Sequence, residues 1–379
     1  MQPHRLGVLL ALACLVGAPS QAAVPIPNPP SLDARAYVLL DNATGRILAS
    51  HEADVQSEPA SITKLMTGYA VFRALKEKRL TLSEPVTISE RAWKAEGSRT
   101  FAQVGTQIPV EALTKGMIVQ SGNDATIALA EKLGGTEEGF VQMMNSYAKE
   151  LGLKNTNFEN SWGGPGTRHY MSALDIALLS RVLVREFPDY YKWYSIREFE
   201  WGGIKQQNRN GLLARDPSVD GIKTGHTESA GYCLASSAKR DGMRLIAVVL
   251  GTKSFKARED ASAALLNYGF TFFETTRVKS PADVILKPEV YKGEADRVTL
   301  VPQSELWVTV GRGSVAHLKT QATVKEPVLA PIKAGQVLGE ITVNDSGIVI
   351  ARMPLVAKEA VPEAGWWGRL WDSVALWLK

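Results

Sequence analysis

The sequence of 379 residues predicts an α+β protein in which a mixed sheet carries an inserted helical region, followed by a small all-β domain and a terminal amphipathic helix. Strand patterns stand at both ends of the first 276 residues and helical patterns lie between them, unlike the regular alternation of a doubly wound parallel sheet. Past about residue 277, short alternating runs are separated by Pro, Gly and Asp-Ser turns. We therefore predict segments at 1–22, 23–276, 277–362 and 363–379.

The composition is that of a folded globular protein, with 45% hydrophobic and 22% charged residues. A formal net charge of +4 without any Lys/Arg-rich block gives no reason to expect a nucleic-acid partner. The two cysteines are Cys14 and Cys233. If the first segment is removed, Cys233 alone remains and no internal disulfide can form.

The first segment, 1–22, has the pattern of a signal peptide. A short basic start precedes an apolar run at 6–16, and the small residues Ser20 and Ala22 stand where a signal peptidase cleaves. A lipoprotein signal at Cys14 and a buried N-terminal helix are the alternatives. We therefore expect an exported protein.

Within 23–276, the pattern AYVLLDNATGRILAS at 36–50 predicts two strands around a turn. Helical patterns dominate from about 61 to 184, including a stretch at 123–133 that ends at two glycines. The runs GYCLASSA and LIAVVLG, joined at 241–242, predict a hairpin, and a last helix is predicted at 259–266. One amphipathic stripe is formed by Leu65, Tyr69, Phe72 and Leu75.

The last segment, 363–379, is rich in tryptophan. As a helix from Gly365, it places its apolar residues at spacings of three and four, and most polar ones on the other side. Fifteen helical residues span about 22 Å, too short for the ~30 Å hydrocarbon layer. Because tryptophan prefers the headgroup level, we predict a helix that lies in the membrane surface. A helix docked on the protein's own core is the alternative. The tryptophans are Trp366, Trp367, Trp371 and Trp377.

A Ser-x-x-Lys pattern at Ser61 and Lys64 is the first candidate for catalysis. Residues at i and i+3 share a helix face, so the amine can approach the hydroxyl as its base. The same spacing recurs at 146–149 and 236–239, and a helix N-cap Ser followed by a solvated Lys is the ordinary alternative. This pattern alone is therefore weak.

Two further motifs follow the Ser61 pattern in a fixed order. Ser-Gly-Asn at 121–123 is the only Ser-x-Asn in the chain, and it lies between two helical segments. Lys-Thr-Gly at 223–225 comes later, and we expect it to open the strand that leads to Gly231. Together the three motifs are the signature of penicillin-binding proteins and class A β-lactamases.

The chain resembles the low-molecular-mass penicillin-binding proteins that are D-alanyl-D-alanine carboxypeptidases, the exported, membrane-attached kind of Gram-negative bacteria. The segments LGLKNTNF, GGIKQQNRNGLL, VDGIKTGHTESAGYCL and GFTFFET look like family segments. This resemblance implies a penicillin-binding/β-lactamase-like fold, peptidoglycan pentapeptides as substrate and β-lactams as covalent inhibitors. It also implies a place on the periplasmic face of the inner membrane, and neither a metal nor a cofactor.

The resemblance assigns a role to each motif residue. It implies that Ser61 is acylated after Lys64 removes its proton. It also implies that Ser121 passes a proton to the leaving amine, while Asn123 orients Lys64 and the substrate amide. A neighbouring cation such as Lys223, together with burial, favours the neutral amine that a base requires.

Substrate binding is implied for the third motif and its surroundings. Lys223 would supply positive charge beside the second motif, and Thr224 and Gly225 would lie on the strand edge where the peptide docks. The backbone N–H of His226, with that of the nucleophile, would form the oxyanion hole. Arg209 would attract the terminal carboxylate of the substrate, unless it is a solvated loop cation.

Other functions remain open at this point. A serine β-lactamase shares the three motifs but needs a Glu for deacylation, and Glu159 is the candidate in a segment that otherwise reads as a surface loop. A transpeptidase would pass the acyl group to an amine. A cell-wall scaffold without catalytic activity would keep the peptide-binding cleft but not the turnover. Arg258 is a second candidate for the carboxylate.

Overall fold

The computed structural model describes residues 25–366. Its first ten strands, β1–β10, are Ala36–Asp41, Ile47–His51, Pro85–Thr87, Gln107–Pro109, Glu198–Trp201, Ile204–Gln207, Val219–Thr227, Gly231–Arg240, Met243–Thr252 and Phe273–Lys279. The helices, α1–α9, are Lys64–Lys76, Glu90–Trp93, Val110–Val119, Asn123–Gly134, Glu137–Glu150, Ala173–Glu186, Pro188–Tyr191, Leu212–Arg215 and Phe255–Phe272. The remaining strands, β11–β17, are Val290–Tyr291, Leu300–Pro302, Leu306–Gly311, Lys319–Val324, Val328–Leu329, Val337–Asp345 and Ile348–Ala357.

The central sheet has the strand order β2-β1-β9-β8-β7, and all neighbours are antiparallel. Its strands come from both ends of the first region, as the sequence predicts. The hairpin β8–β9 turns at Asp241 and Gly242, also as predicted. Because β7 is the last strand in the order, one of its edges is free to accept an extended peptide.

Helices cover both faces of this sheet. On one face, α1 and its neighbours form a large core in which the predicted stripe at Leu65, Tyr69 and Phe72 is buried. On the other face, α9 packs its Leu265 and Leu266 against the sheet. The start of α1 therefore lies between the sheet and the helical region, which is where the first motif is found.

Two predicted elements have different bounds. Helix α9 runs from Phe255 to Phe272 rather than over 259–266, because the side chain of Ser254 caps it by accepting from the Ala257 N–H and its apolar face continues to Phe270. The Lys-Thr-Gly motif at 223–225 does not open its strand, since β7 already begins at Val219 and pairs with β8.

The C-terminal part is rich in β-strands, with a four-stranded sheet of order β12-β17-β16-β14 and the pair β10–β13. The predicted boundary at 276/277 falls inside β10. The β1–β2 turn contacts this part through the buried Asp41, whose carboxylate accepts hydrogen bonds from Thr44 and Thr275. Thr309 of β13 lies within hydrogen-bonding distance of both threonine hydroxyls.

The predicted signal peptide at 1–22 and nearly all of the predicted terminal helix at 363–379 lie outside the described residues. Among residues 25–366, no helix is both long enough and apolar enough to cross a bilayer.

Candidate active site

Ser61 and Lys64 lie at the junction of a 3₁₀ turn at Ala60–Thr63 and helix α1. This brings Lys64 Nζ to 2.9 Å from Ser61 Oγ, as the spacing predicts. Lys64 is buried, and its pKa lies well below the ordinary value because of that burial and then because of the charges of Lys223 and Arg209. The amine is therefore more readily neutral than that of an ordinary lysine, as a base requires.

Ser121 and Asn123 lie at the junction of α3 and α4, two helices that both pack against α1. Ser121 has φ +66°, an unusual backbone conformation for a residue other than glycine, of the kind that often marks functional sites. Among residues 25–366, Ser121 Oγ and Asn123 Oδ1 are buried and find no hydrogen-bond partner. Both polar atoms are thus free to bind a substrate or water, since buried polar atoms ordinarily have partners.

The role expected of Asn123 is only partly supported by this arrangement. Its Nδ2 donates to the Glu96 carbonyl at 2.5 Å, and its backbone N–H donates to the Ser98 carbonyl at 2.7 Å. Within residues 25–366, no hydrogen bond joins Asn123 to Lys64, contrary to what the resemblance implies. The side chain instead holds a neighbouring loop through the Glu96 carbonyl.

Lys223 and Gly225 belong to the third motif on β7, and Gly225 lies against the turn that carries Ser61. A Cβ at Gly225 would come within 2.7 Å of the Pro59 carbonyl, so glycine permits the close approach of β7 to the turn that carries Ser61. Lys223 is buried, donates to the Thr224 carbonyl at 3.1 Å, and has a pKa lowered to about 7 by burial and by the charges of Arg209 and Arg258.

Arg209 and His226 are exposed at the edge of this site. The charge of Arg209 lowers the pKa of both Lys64 and Lys223, which places it within electrostatic reach of both amines. His226 stacks on Tyr232 with ring centroids 4.0 Å apart, and Tyr232 in turn contacts Phe255. Arg209 is thus the accessible cation of the two arginine candidates.

Arg258, the second candidate for the substrate carboxylate, lies inside the protein. It is buried, and its guanidinium donates to the carbonyl oxygens of Gly225 at 3.3 Å and Arg209 at 3.2 Å. A buried guanidinium that binds two backbone carbonyls stabilises the structure around the site. The prediction that Arg258 binds the substrate carboxylate is therefore not supported by its buried position.

The segment after Phe158 contains the part of the site that sequence reasoning missed. The Trp162 carbonyl accepts a hydrogen bond from Lys64 Nζ at 2.5 Å. Gly163 packs so closely that a Cβ would lie 1.9 Å from the Ala60 carbonyl. A surface loop is the alternative that the sequence offers for this segment, although two adjacent glycines before Pro165 indicate a close backbone approach.

Glu159, the candidate for deacylation in a β-lactamase, belongs to the same segment. Its carboxylate accepts from the Arg168 N–H at 2.9 Å and faces the Arg168 guanidinium at 3.8 Å. The carboxylate is therefore engaged by its own loop. This arrangement does not favour Glu159 as a base at Ser61.

The chain matches two protein families. One is described as D-alanyl-D-alanine carboxypeptidase and matches residues 23–254. The other is described as the C-terminal domain of penicillin-binding protein 5 and matches residues 273–363.

Individual relatives agree with the family matches. D-alanyl-D-alanine carboxypeptidase DacC of Escherichia coli is 42% identical over 92% of this chain and 89% of its own length. The crystal structure of penicillin-binding protein 5 from Haemophilus influenzae superposes with a TM-score of 0.85 at 40% identity, covering 89% of this chain and 99% of that one. Penicillin-binding protein D2 from Listeria monocytogenes in its ampicillin-bound form gives 0.59 at 30% identity, covering 64% and 99%.

Proposed function

The chain belongs to the D-alanyl-D-alanine carboxypeptidase family and is a serine hydrolase of that class, and on this premise we propose how it acts and on what. The substrate is the pentapeptide stem of peptidoglycan, from which the enzyme removes the terminal D-alanine. The single observation that carries the proposal is the distance of 2.9 Å between Lys64 Nζ and Ser61 Oγ.

Acylation begins when neutral Lys64 takes the hydroxyl proton of Ser61. Ser61 Oγ then forms a bond with the carbonyl carbon of the penultimate D-alanine, and the carbonyl oxygen becomes an oxyanion. The backbone N–H groups of Ser61 and His226 stabilise this oxyanion, a contribution of about 2.7–4 kcal/mol per donor in comparable sites.

Collapse of the tetrahedral intermediate breaks the C–N bond to the terminal D-alanine. The leaving nitrogen receives a proton from the Ser121 hydroxyl, which is replenished from protonated Lys64. Protonated Lys223 and Arg209 attract the carboxylate of the departing D-alanine, and Thr224 and Gly225 align the peptide along the free edge of β7. Water then hydrolyses the ester and restores Ser61.

β-Lactams acylate the same serine. Their strained amide presents a carbonyl carbon to Ser61 Oγ, and opening the ring leaves an ester that blocks the site. The ampicillin-bound Listeria relative, which is similar over 64% of this chain, supports this proposal.

We also propose that the protein is exported and attached to the periplasmic face of the inner membrane. The signal pattern at 1–22 and the tryptophan-rich amphipathic pattern at 363–379 support this. Deleting 363–379 should leave D-alanine release from a short peptide unchanged while abolishing sedimentation with phospholipid vesicles. Sedimentation of the truncated enzyme would contradict the anchor.

The activity is tested with a fluorescent penicillin and a D-Ala-D-Ala pentapeptide. The wild type should be labelled and release D-alanine, and Ser61→Ala should do neither. Ser146→Ala is the matched control, because it removes a serine of the same Ser-x-x-Lys spacing whose hydroxyl only donates to the Gln142 carbonyl. Rapid penicillin turnover without D-alanine release would instead identify a β-lactamase, and release only in the presence of an acceptor amine would identify a transpeptidase.

A further inference from the structure

A tight loop at 160–164 presents the backbone carbonyl that binds Lys64. The side chain of Asn160 closes this loop, because its Oδ1 accepts from the N–H groups of Gly163 at 2.8 Å and Gly164 at 2.9 Å. Its Nδ2 donates to the Gly164 carbonyl at 3.1 Å. One side chain thus satisfies three backbone groups around the Trp162 carbonyl, which accepts from Lys64 Nζ at 2.5 Å.

Ser161 ties the same loop to the helices. The carboxylate of the buried Glu137, at the start of α5, accepts from the Ser161 N–H at 3.0 Å and hydroxyl at 2.7 Å. The Ser161 carbonyl accepts from the Thr67 hydroxyl of α1 at 2.6 Å. Since Thr67 lies one turn after Lys64, the loop is aligned with the helix that carries the catalytic amine.

We propose that Asn160 is a positioning residue for the acylation step, acting through the Trp162 carbonyl on Lys64; this inference rests on the proposed function. A neutral lysine amine has two N–H bonds and one lone pair. Holding one N–H on the Trp162 carbonyl turns the lone pair toward Ser61 Oγ, 2.9 Å away, where the proton must be received. Without the Asn160 clamp the carbonyl moves, and the lone pair loses its orientation.

The surroundings of Lys64 determine how its titration responds. The charged groups that act on it are Lys223 on β7, Arg209 before α8 and Asp124 on α4, and its own charge acts on the buried His169. The Trp162 carbonyl favours the protonated amine, because it accepts a hydrogen bond from it. Losing that acceptor lowers the pKa of Lys64 further. The acidic limb of the pH profile of the acylation rate therefore moves to lower pH.

The experiment measures acylation by a fluorescent penicillin and D-alanine release from a pentapeptide across pH. Asn160→Ala should lower the acylation rate constant and kcat about 10- to 100-fold, with KM nearly unchanged, and shift the acidic limb to lower pH. Asn160→Asp retains the acceptor for the Gly163 and Gly164 N–H groups and should recover most of the rate. The negative charge of Asn160→Asp should move the acidic limb of the pH profile to higher pH.

Asn157→Ala is the matched control, since it removes a side-chain donor to the Arg168 carbonyl in the same segment without touching the clamp. It should retain wild-type acylation. The proposal is wrong if folded Asn160→Ala acylates as fast as the wild type, or slows without any shift of its pH profile, or if Asn157→Ala slows equally. A wild type that neither binds penicillin covalently nor releases D-alanine would contradict the proposed function instead.

Discussion

The buried guanidinium of Arg258 donates a hydrogen bond to the carbonyl of Gly225 at 3.3 Å, and so holds the motif strand β7 from the α9 side of the sheet. The same group donates to the Arg209 carbonyl at 3.2 Å. One side chain therefore joins β7 to the loop that carries the exposed Arg209. In the proposed mechanism, the spacing between those two parts decides where the substrate carboxylate lies relative to Ser61.

Arg258→Lys should lower kcat/KM for the pentapeptide about 10- to 100-fold, because an ammonium cannot reproduce the planar fork that reaches both carbonyls. Arg215→Lys is the control, as Arg215 is an exposed arginine that contacts α9 through Glu259 and Asp260. Steady-state kinetics on both variants checks this. Equal kcat/KM values for wild type and Arg258→Lys would show that the two hydrogen bonds do not align the site.

Arg209→Gln should raise KM about 10- to 100-fold through loss of a charged partner for the substrate carboxylate. It should also change the pH dependence. In the wild type Lys223, with a pKa of about 7, loses its charge as pH rises, so KM increases above neutrality. Removing Arg209 removes a repulsive charge and raises the pKa of Lys223, so the increase in KM should begin at higher pH. A KM profile with the same inflection in both enzymes would contradict this electrostatic coupling.

Lys223 should also make stability depend on pH. Its pKa is about 7 in the folded protein, against about 10.4 in an unfolded chain, so unfolding takes up a proton between these values. The unfolding free energy of the wild type should therefore rise with pH across this window, by up to a few kcal/mol. Lys223→Met should have a smaller slope, with some slope retained because of Lys64. Urea unfolding at pH 7, 8 and 9 measures how the unfolding free energy changes with pH in both proteins. An identical change in the two proteins would refute the lowered pKa of Lys223.

Gly163→Ala should separate the loop from the nucleophile. The residue has φ +91°, and a Cβ would lie 1.9 Å from the Ala60 carbonyl, so the loop must move away and take the Trp162 carbonyl from Lys64. Penicillin acylation should fall by about 100-fold or more. Gly152→Ala has a similar φ of +71° in open space and should only cost about 1–2 kcal/mol of stability. Comparable acylation by both variants would count against the close contact.

Asp41→Ala should weaken the attachment of the C-terminal part without affecting the peptidase site. The change leaves the Thr44 and Thr275 hydroxyls without their buried acceptor, at a cost of about 2–3 kcal/mol. Limited proteolysis should then cut faster between β10 and β11, while D-alanine release from a short peptide stays unchanged. Thr323→Ala, on the exposed part of β14, serves as the control. Protease resistance equal to that of the wild type would mean that other contacts hold the two parts together.

The three motifs were predictable because their chemistry resides in side chains of fixed type and order. The spacing of Ser61 and Lys64, read together with the other two motifs, predicts their contact on a helical turn, and the strands flanking the helical region predict the central sheet. The strand bounds around Lys223 were less accurate, because pairing with β8 extends β7 backward to Val219.

The loop at 160–164 was not predictable in the same way. Trp162 contributes a backbone carbonyl, which every residue has, and only tertiary packing decides that this one binds Lys64. Asn160 acts on backbone N–H groups within its own loop, a contact common to many turns. The burial of Arg258 similarly depends on how α9 crosses the sheet.

The place of β1 in the sheet has a consequence for how the protein folds. β1 lies between β2 and β9, and Val38 pairs with Val248. The two halves of the sheet are thus separated by about 200 residues of chain, and contacts so distant in sequence form late. The β1–β2 hairpin has no partner strand beside β1 until Met243–Thr252 is present. The native sheet therefore forms only once about two thirds of the chain is present.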